Sequence, residues 1–283
     1  MPNETFDYAK VASVATRMRI DIIEMLTAAG SGHPGGSLSA ADIVATLYFG
    51  GVLNLDPQNL NDPARDRFVL SKGHAAPVLY AALAEKGIID RSEFAGLRKL
   101  GHMLQGHPDA LKTPGVEVST GSLGQGLSIS NGMALGLKLD NAPSTVYCLM
   151  GDGEIQEGQV WEAAMFAAHR KLDNLVAIVD NNGLQIDGCV DDVMSLGNIA
   201  LKFKAFGFDV IEIDGHNLEE IHAALTAPRC PEKPRAIIAH THKGQGVSFM
   251  CDQASWHGCA PSQEQAEQAC RELREQEGDS TCR

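Results

Sequence analysis

Asp152 and Asn182 stand 30 positions apart, the first in the turn Gly151-Asp152-Gly153 and the second closing the run NLVAIVDNN. Their side-chain oxygens are hard donors of the kind that Mg²⁺ or Ca²⁺ takes. Mg²⁺ usually binds one or two protein oxygens and completes its shell with phosphate oxygens and water. Glycines on both sides of Asp152 let backbone N–H groups approach an anion. The chemistry on offer is a grip on a metal diphosphate. Gly-Asp-Gly and Asp-Asn-Asn-Gly are also ordinary turn sequences, so the pairing needs a framework that brings the turns together.

That framework is legible around them. TVYCLM before Asp152 and NLVAIVD before Asn182 are apolar and β-branched, and EGQVWEAAMFAAHRK between them has the length of a crossover helix. Strands of such a βαβ unit run parallel, so both turns emerge at the carboxyl edge of the sheet, where open α/β sheets bind ligands. FDVIEID and PRAIIAHT repeat the strand pattern. The fold class is therefore α/β, a doubly wound, mainly parallel sheet in one domain with helices on both faces.

Nearer the amino terminus, Val11, Val14, Met18, Ile22 and Met25 recur at steps of three and four, which predicts a helix ending at Gly30. SGHPGGSLS reads as a loop. AADIVATLYFGGVL reads as a second helix, with Asp42 near its start, where a carboxylate suits the dipole. RDRFVLSKGHAAPVLYAALAEKG reads as strand, loop and helix. The closing PSQEQAEQACRELREQEGDSTCR is polar with helical spacing at first, so a domain over 1–275 and a frayed tail over 276–283 are expected.

With 283 residues, 44% of them hydrophobic, the chain can fill a sizeable core. Its formal charge of −13 argues against nucleic acid or an anionic membrane surface as the main partner. No apolar stretch approaches the roughly 20 residues that span a bilayer, and MPNETFDYAK lacks the regions of a signal peptide, so a cytoplasmic location is expected. The seven cysteines are odd in number, form no CxxC pair and read as reduced thiols.

The GDG and NN pair at this spacing resembles the thiamine-diphosphate motif. SGHPGGSLS, SKGHAAPVLY, QGHPD, TPGVEVSTGSLGQGLS and WHGCAP resemble, in that order, landmarks of the first domain of transketolase, over nearly all of residues 8–275. The resemblance implies the thiamine-diphosphate-binding fold and a divalent cation, Mg²⁺ or Ca²⁺, held by Asp152, Asn182 and the carbonyl of Leu184. By the same resemblance, Gly153 offers an N–H to phosphate, Ile186 packs near the cofactor rings, and Gly121 and Leu123 touch the aminopyrimidine. Ser122 stands where many single-chain members have proline. Glu157 matches a carboxylate that links cofactor sites across a dimer, with Glu162 ranked below it.

Imidazole suits such a site because it donates or accepts a proton near neutral pH. Four of the ten histidines sit in Gly-bearing loops. The resemblance implies that His33 and His257 handle donor and acceptor oxygens, that His107 binds a donor hydroxyl, and that His74 lies near cofactor and substrate. The others, at 102, 169, 216, 222, 240 and 242, are assigned no chemistry. The implied reaction is transfer of a two-carbon ketol unit from a ketose, expected to be phosphorylated, to an aldose.

In the family a glutamate from a second, pyrimidine-binding domain activates the aminopyrimidine, and the sugar-phosphate arginines lie there too. Nothing in these 283 residues matches that domain. The expectation is a partner chain, the carboxyl-terminal transketolase subunit, in an α2β2 assembly. Alternatives are the alpha subunit of a 2-oxo acid dehydrogenase, which shares the cofactor motif, and a non-catalytic diphosphate-binding module.

Overall fold

The computed structural model describes residues 6–280. In chain order, α1 (Tyr8–Ala29), α2 (Pro34–Ser39) and α3 (Ala41–Phe49) precede β1 (Arg67–Leu70) and α4 (Ala76–Glu85). Then come α5 (Gln125–Leu139), β2 (Val146–Gly151), α6 (Gly158–His169) and β3 (Leu175–Asn181). A small hairpin, β4 (Leu184–Gln185) and β5 (Gly188–Cys189), leads into α7 (Val190–Met194), α8 (Ile199–Ala205), β6 (Asp209–Asp214), α9 (Leu218–Thr226), β7 (Arg235–His240) and α10 (Gln263–Ser280).

The main sheet has the order β1-β2-β3-β7-β6, and every pairing in it is parallel. Chain order breaks after β3, whose outer neighbour is β7. Successive strand residues face opposite sides, and the core divides accordingly. Tyr147, Leu149, Val176 and Ile178 meet α1, α3, α4, α9 and α10. Cys148, Met150, Ala177 and Val179 meet α5, α6 and α8. The doubly wound fold and its four expected strand runs are thus present.

Helix α1 buries the predicted stripe and stops at Gly30, whose φ of 63° suits a residue without a Cβ and whose N–H returns to Leu26 O. SGHPGGSLS departs from its loop reading, because Pro34–Ser39 form a helix. Pro34 stands in its first turn, where its missing N–H costs nothing, and Ser37 Oγ donates to His33 O at 2.7 Å. Gly35 and Gly36 sit mid-helix for space. A Cβ at Gly35 would lie 2.9 Å from Lys243 Cγ, and one at Gly36 3.3 Å from Lys72 Nζ.

Helix α10 likewise passes position 276, where a frayed tail was expected, and runs to Ser280. Ala266, Ala269, Cys270 and Leu273 bury a stripe in the same core as α1, and Ser13 Oγ on α1 donates to Glu277 Oε1 at 2.5 Å. Six cysteines carry free thiols, and Cys282 lies outside the described residues. No helix among the described residues is long and apolar enough to cross a membrane.

Candidate functional site

Strands β2 and β3 pair Gly151 with Asp180, so the residues that follow them, Asp152 and Asn182, leave the sheet side by side. Asp152 N–H donates to Asp180 O at 3.2 Å. The Asp152 carboxylate is fixed by two backbone donors, Gly153 N at 2.7 Å and Gly183 N at 2.5 Å. Asn182 Oδ1 accepts from Leu184 N at 3.2 Å, and its Nδ2 reaches Ser39 Oγ at 3.4 Å. Burial and then the nearby Asp180 carboxylate push the Asp152 carboxyl up to about 6. A charge-starved carboxylate of this kind favours an added cation.

Asp152, Gly153, Asn182, Leu184 and Ile186 line one cavity of about 220 Å³, together with Leu123, His74 and His257. Two lysines that sequence reasoning missed, Lys72 and Lys243, also line it and are 1% and 2% exposed. Lys72 forms a buried ion pair with Asp180. Asp180 also accepts from Ser39 Oγ at 2.6 Å and from Thr241 Oγ1. Burial alone would raise the Asp180 carboxyl, but the Lys72 charge and these bonds lower it. Lys243 Nζ donates to Leu184 O and to His257 Nδ1, both at 2.8 Å. Burial, then repulsion from Lys72, brings Lys243 down to about 8.

The rings of His33, His74 and His257 form a triangle with centroid separations of 5.4, 5.5 and 5.2 Å. Burial is the main reason all three stay neutral. His33 is lowered to about 4, His257 to about 3 with the charge of Lys243 next in effect, and His74 well below its usual value. An ammonium has no acceptor, so the Lys243 bond assigns the His257 proton to Nε2 and leaves that atom as a donor. His33 Nδ1 is buried with no hydrogen-bond partner. In a polar pocket, such an atom marks a place where a ligand group can bind.

The remaining predicted residues lie around this cavity. His107 packs against Gly121, where a Cβ would stand 2.7 Å from the imidazole Cδ2. Burial, then Arg98, lowers His107. Glu157 caps the start of α6 and is exposed, so its expected role across a dimer lies outside this single chain. Glu162 is exposed beside α5. A carboxylate that the sequence did not single out, Glu154, is 3% exposed and ties the site together. It accepts from Ser71 Oγ, from Gly124 N at 3.0 Å and from Gly151 N at 3.1 Å, which joins the ends of β1 and β2 to the 121–126 loop.

Several of the histidines set aside have structural partners, His240 with Glu212 and His242 with Asp252 among them. His216 Nδ1 lies 2.8 Å from Asp42 Oδ2, and its Nε2 accepts from His242 N at 2.8 Å. Asp42, expected to serve the α3 dipole, is also held by Arg19 at 3.0 and 2.6 Å. His102 Nε2 lies 2.9 Å from Glu93.

Residues 10–278 match the family model described as the thiamine diphosphate binding domain of transketolase. The chain belongs to the transketolase family. It is 44% identical over 279 residues to the 6-deoxy-6-sulfo-D-fructose transketolase subunit of a Clostridium species, covering 98% of this chain and 100% of that one. To an apulose-4-phosphate transketolase subunit of Phocaeicola vulgatus it is 44% identical, with 90% of each chain covered. Human transketolase is 46% identical over 92% of this chain, which spans only 41% of that longer protein. The solved transketolase of Campylobacter jejuni superposes with a TM-score of 0.84 at 34% identity, covering 95% of this chain and 42% of that one. These likenesses settle the choice among the sequence readings in favour of a diphosphate-binding transketolase subunit.

The transketolase cofactor fits the residues present. The Asp152 carboxylate, the Asn182 amide oxygen and the Leu184 carbonyl are three hard oxygens around one cavity, with two ammonium groups and the Gly153 backbone beside them. Leu184 O is already bonded to Lys243. A cation at that oxygen would therefore release the lysine to face an anion.

Proposed function

We propose that this chain forms the diphosphate-binding half of a two-subunit transketolase and holds thiamine diphosphate through Mg²⁺ or Ca²⁺. When bound, that cofactor supplies the electron sink for breaking and making a ketose carbon–carbon bond. Asp152, Asn182 and Leu184 O would hold the metal, while Gly153 N–H and Lys243 meet the diphosphate. Leu123, with Gly121 beside it, and Ile186 would frame the cofactor rings.

His33 and His257 would face the sugar oxygens as neutral imidazoles. His257 donates from Nε2, and His33 offers an unpartnered Nδ1. Proton transfer at these atoms needs no prior loss of a charge, because burial has already made both rings neutral. His74 and His107 would position hydroxyls around them.

The observation that carries the reading is the convergence of the metal-type oxygens and two of the three clustered histidines on one cavity. Ile186 is 65% exposed and Leu123 36% exposed beside it, apolar surface suited to burial under cofactor and partner. The partner would be a carboxyl-terminal transketolase subunit with the pyrimidine-binding domain and its activating glutamate. An obligate interface of about 2,000 Å² or more and a closed α2β2 assembly follow from that division.

The test is to purify this chain with and without its candidate partner, assay ketol transfer from a ketose to an aldose, and measure mass in solution. Transfer only on mixing, in a species of two copies each, is expected. Robust transfer by the isolated chain would refute the split.

A further inference from the structure

Beyond β7 the chain turns back on itself, and the return brings three unlike donors together. Among the described residues, one set of three His, Cys, Asp or Glu side chains has its donor atoms grouped closely enough to hold a metal ion. These are His242, Cys251 and Asp252, whose ligand atoms all lie within 4.8 Å of one another. His242 Nδ1 stands 3.2 and 3.0 Å from the two Asp252 oxygens. With bonds of about 2.0–2.3 Å, the ligands of a tetrahedral zinc are about 3.3–3.6 Å apart. Imidazole and carboxylate are therefore spaced for it already. The gap to the thiol closes by small rotations, since the His242 and Asp252 side chains are 61% and 51% exposed.

The backbone beneath these donors is fixed. Asp252 N donates to Lys243 O at 2.8 Å, and Cys251 N to Val247 O at 2.9 Å. The His242 ring stacks on His216, with centroids 5.8 Å apart and planes 12° from parallel, and His216 is itself held by Asp42. After burial, the charge of Asp252 is what raises the Cys251 thiol, so sulfur and carboxylate face each other. A cation between them would turn that repulsion into two bonds.

We propose that His242, Cys251 and Asp252 bind a zinc ion that clasps the 242–252 loop. One nitrogen, one sulfur and one carboxylate oxygen suit Zn²⁺, whereas Mg²⁺ takes oxygens and keeps much of its water. On binding, the thiol gives its proton to solvent and the sulfur bonds to the metal. Water completes the tetrahedron from the adjoining cleft of about 530 Å³, which His242 and Asp252 line together with Asp214 and His240. Asn182 lines both this cleft and the cavity of Asp152, but none of the three zinc donors lines that cavity, so the two sites are separate. The clasp joins the ends of the loop that carries Lys243, whose ammonium holds Leu184 O and His257. Zinc thus fixes the segment from which Lys243 reaches inward, without itself touching substrate or cofactor. The inference stands on this geometry alone and does not depend on the transferase reading.

The experiment titrates the full chain, reduced and freed of metal, with Co²⁺ in excess Mg²⁺ and then with Zn²⁺. One equivalent of Co²⁺ should give the near-ultraviolet charge-transfer band of a cobalt–thiolate bond, and one equivalent of Zn²⁺ should abolish it. The oxygens at Asp152 and Asn182 cannot produce that band. Cys251→Ser should lose it, while Cys259→Ser, which removes a more exposed thiol, should keep it. His242→Ala and Asp252→Asn should each weaken Zn²⁺ binding about tenfold or more, measured by competition with a chromophoric chelator. Asn is the choice at 252 because it tolerates the φ of 55° there, and circular dichroism checks the fold of each variant. Zinc should also slow hydrogen exchange of the 243–252 amides about tenfold or more in the wild type and leave it unchanged in Cys251→Ser. Absence of the thiolate band, its survival in Cys251→Ser, or unchanged Zn²⁺ affinity in either of the other variants would overturn the site. Exchange that zinc does not slow in the wild type would overturn the clasp.

Discussion

Lys243 donates to Nδ1 of His257 across 2.8 Å, so a buried ammonium sets which nitrogen of that imidazole carries the proton. Burial and then the Lys243 charge hold His257 at about 3. Replacing the lysine by an apolar chain of similar length, Lys243→Met, removes the second cause and leaves the first. The His257 titration then moves up toward, but not to, its ordinary range near 6.5, and NMR of the imidazole resonances would register it. An unmoved His257 would separate the two groups electrostatically. The same variant is expected to weaken cofactor binding about tenfold or more, measured by calorimetry with the partner present.

Asp152→Ala is expected to abolish cofactor binding. In the proposed site it removes one of the two side-chain oxygens that would hold the cation, and Mg²⁺ held by so few protein ligands would depend on each. Chelation of the metal from the wild-type assembly should release the cofactor in the same way. Calorimetry with the partner present decides the point: unchanged affinity in Asp152→Ala would remove this carboxylate from the metal site.

For His33→Ala and His257→Ala, turnover should drop by about 10²- to 10⁴-fold, the usual contribution of a general acid or base, while cofactor stays bound. Circular dichroism should show an intact fold. Rates near wild type in both variants would return these imidazoles to a packing role.

Stability in acid should depend on Asp42. The carboxyl is lowered from 3.8 to about 2: burial opposes the shift, but the charge of Arg19, with bonds from Arg19 and His216, outweighs it. A folded value below the unfolded one means stabilisation that is complete above pH 3.8 and is lost as the pH falls through about 2. The difference is worth about 2 kcal/mol. Urea unfolding between about pH 5 and pH 2 should show that loss in the wild type, and Asp42→Asn should flatten it. At neutral pH, Asp42→Ala should cost about 3–5 kcal/mol, because it leaves the Arg19 guanidinium buried without its partner.

Much of this architecture is legible in the order of residues alone. The strand runs and the α1 stripe have strong periodicity, and the turns after β2 and β3 carry the oxygens expected of them. Helix α2 is hidden because Pro-Gly-Gly signals a break by local rules, and only the lysines packed against Gly35 and Gly36 explain a helix there. The Lys72–Asp180 pair is invisible because its members are 108 positions apart, each at the end of an apolar strand. Lys243 leaves a usable trace, since it follows β7 much as Asp152 follows β2 and Asn182 follows β3. Asp42 reads as a dipole partner because Arg19 and His216 come from α1 and from the turn after β6, contacts no local pattern reveals.

The cavity takes its walls from residues 36, 72, 74, 123, 151–154, 182, 184–186, 243 and 257, so no two consecutive elements of the chain can build it. The main-sheet strands behind it pair only in parallel, each across a long crossover, a topology in which distant contacts form late and slowly. A ligand held there can neither template an early intermediate nor rescue a half-formed sheet. It recognises the finished edge alone, and its occupancy therefore reports completed folding from α2 to the turn beyond β7.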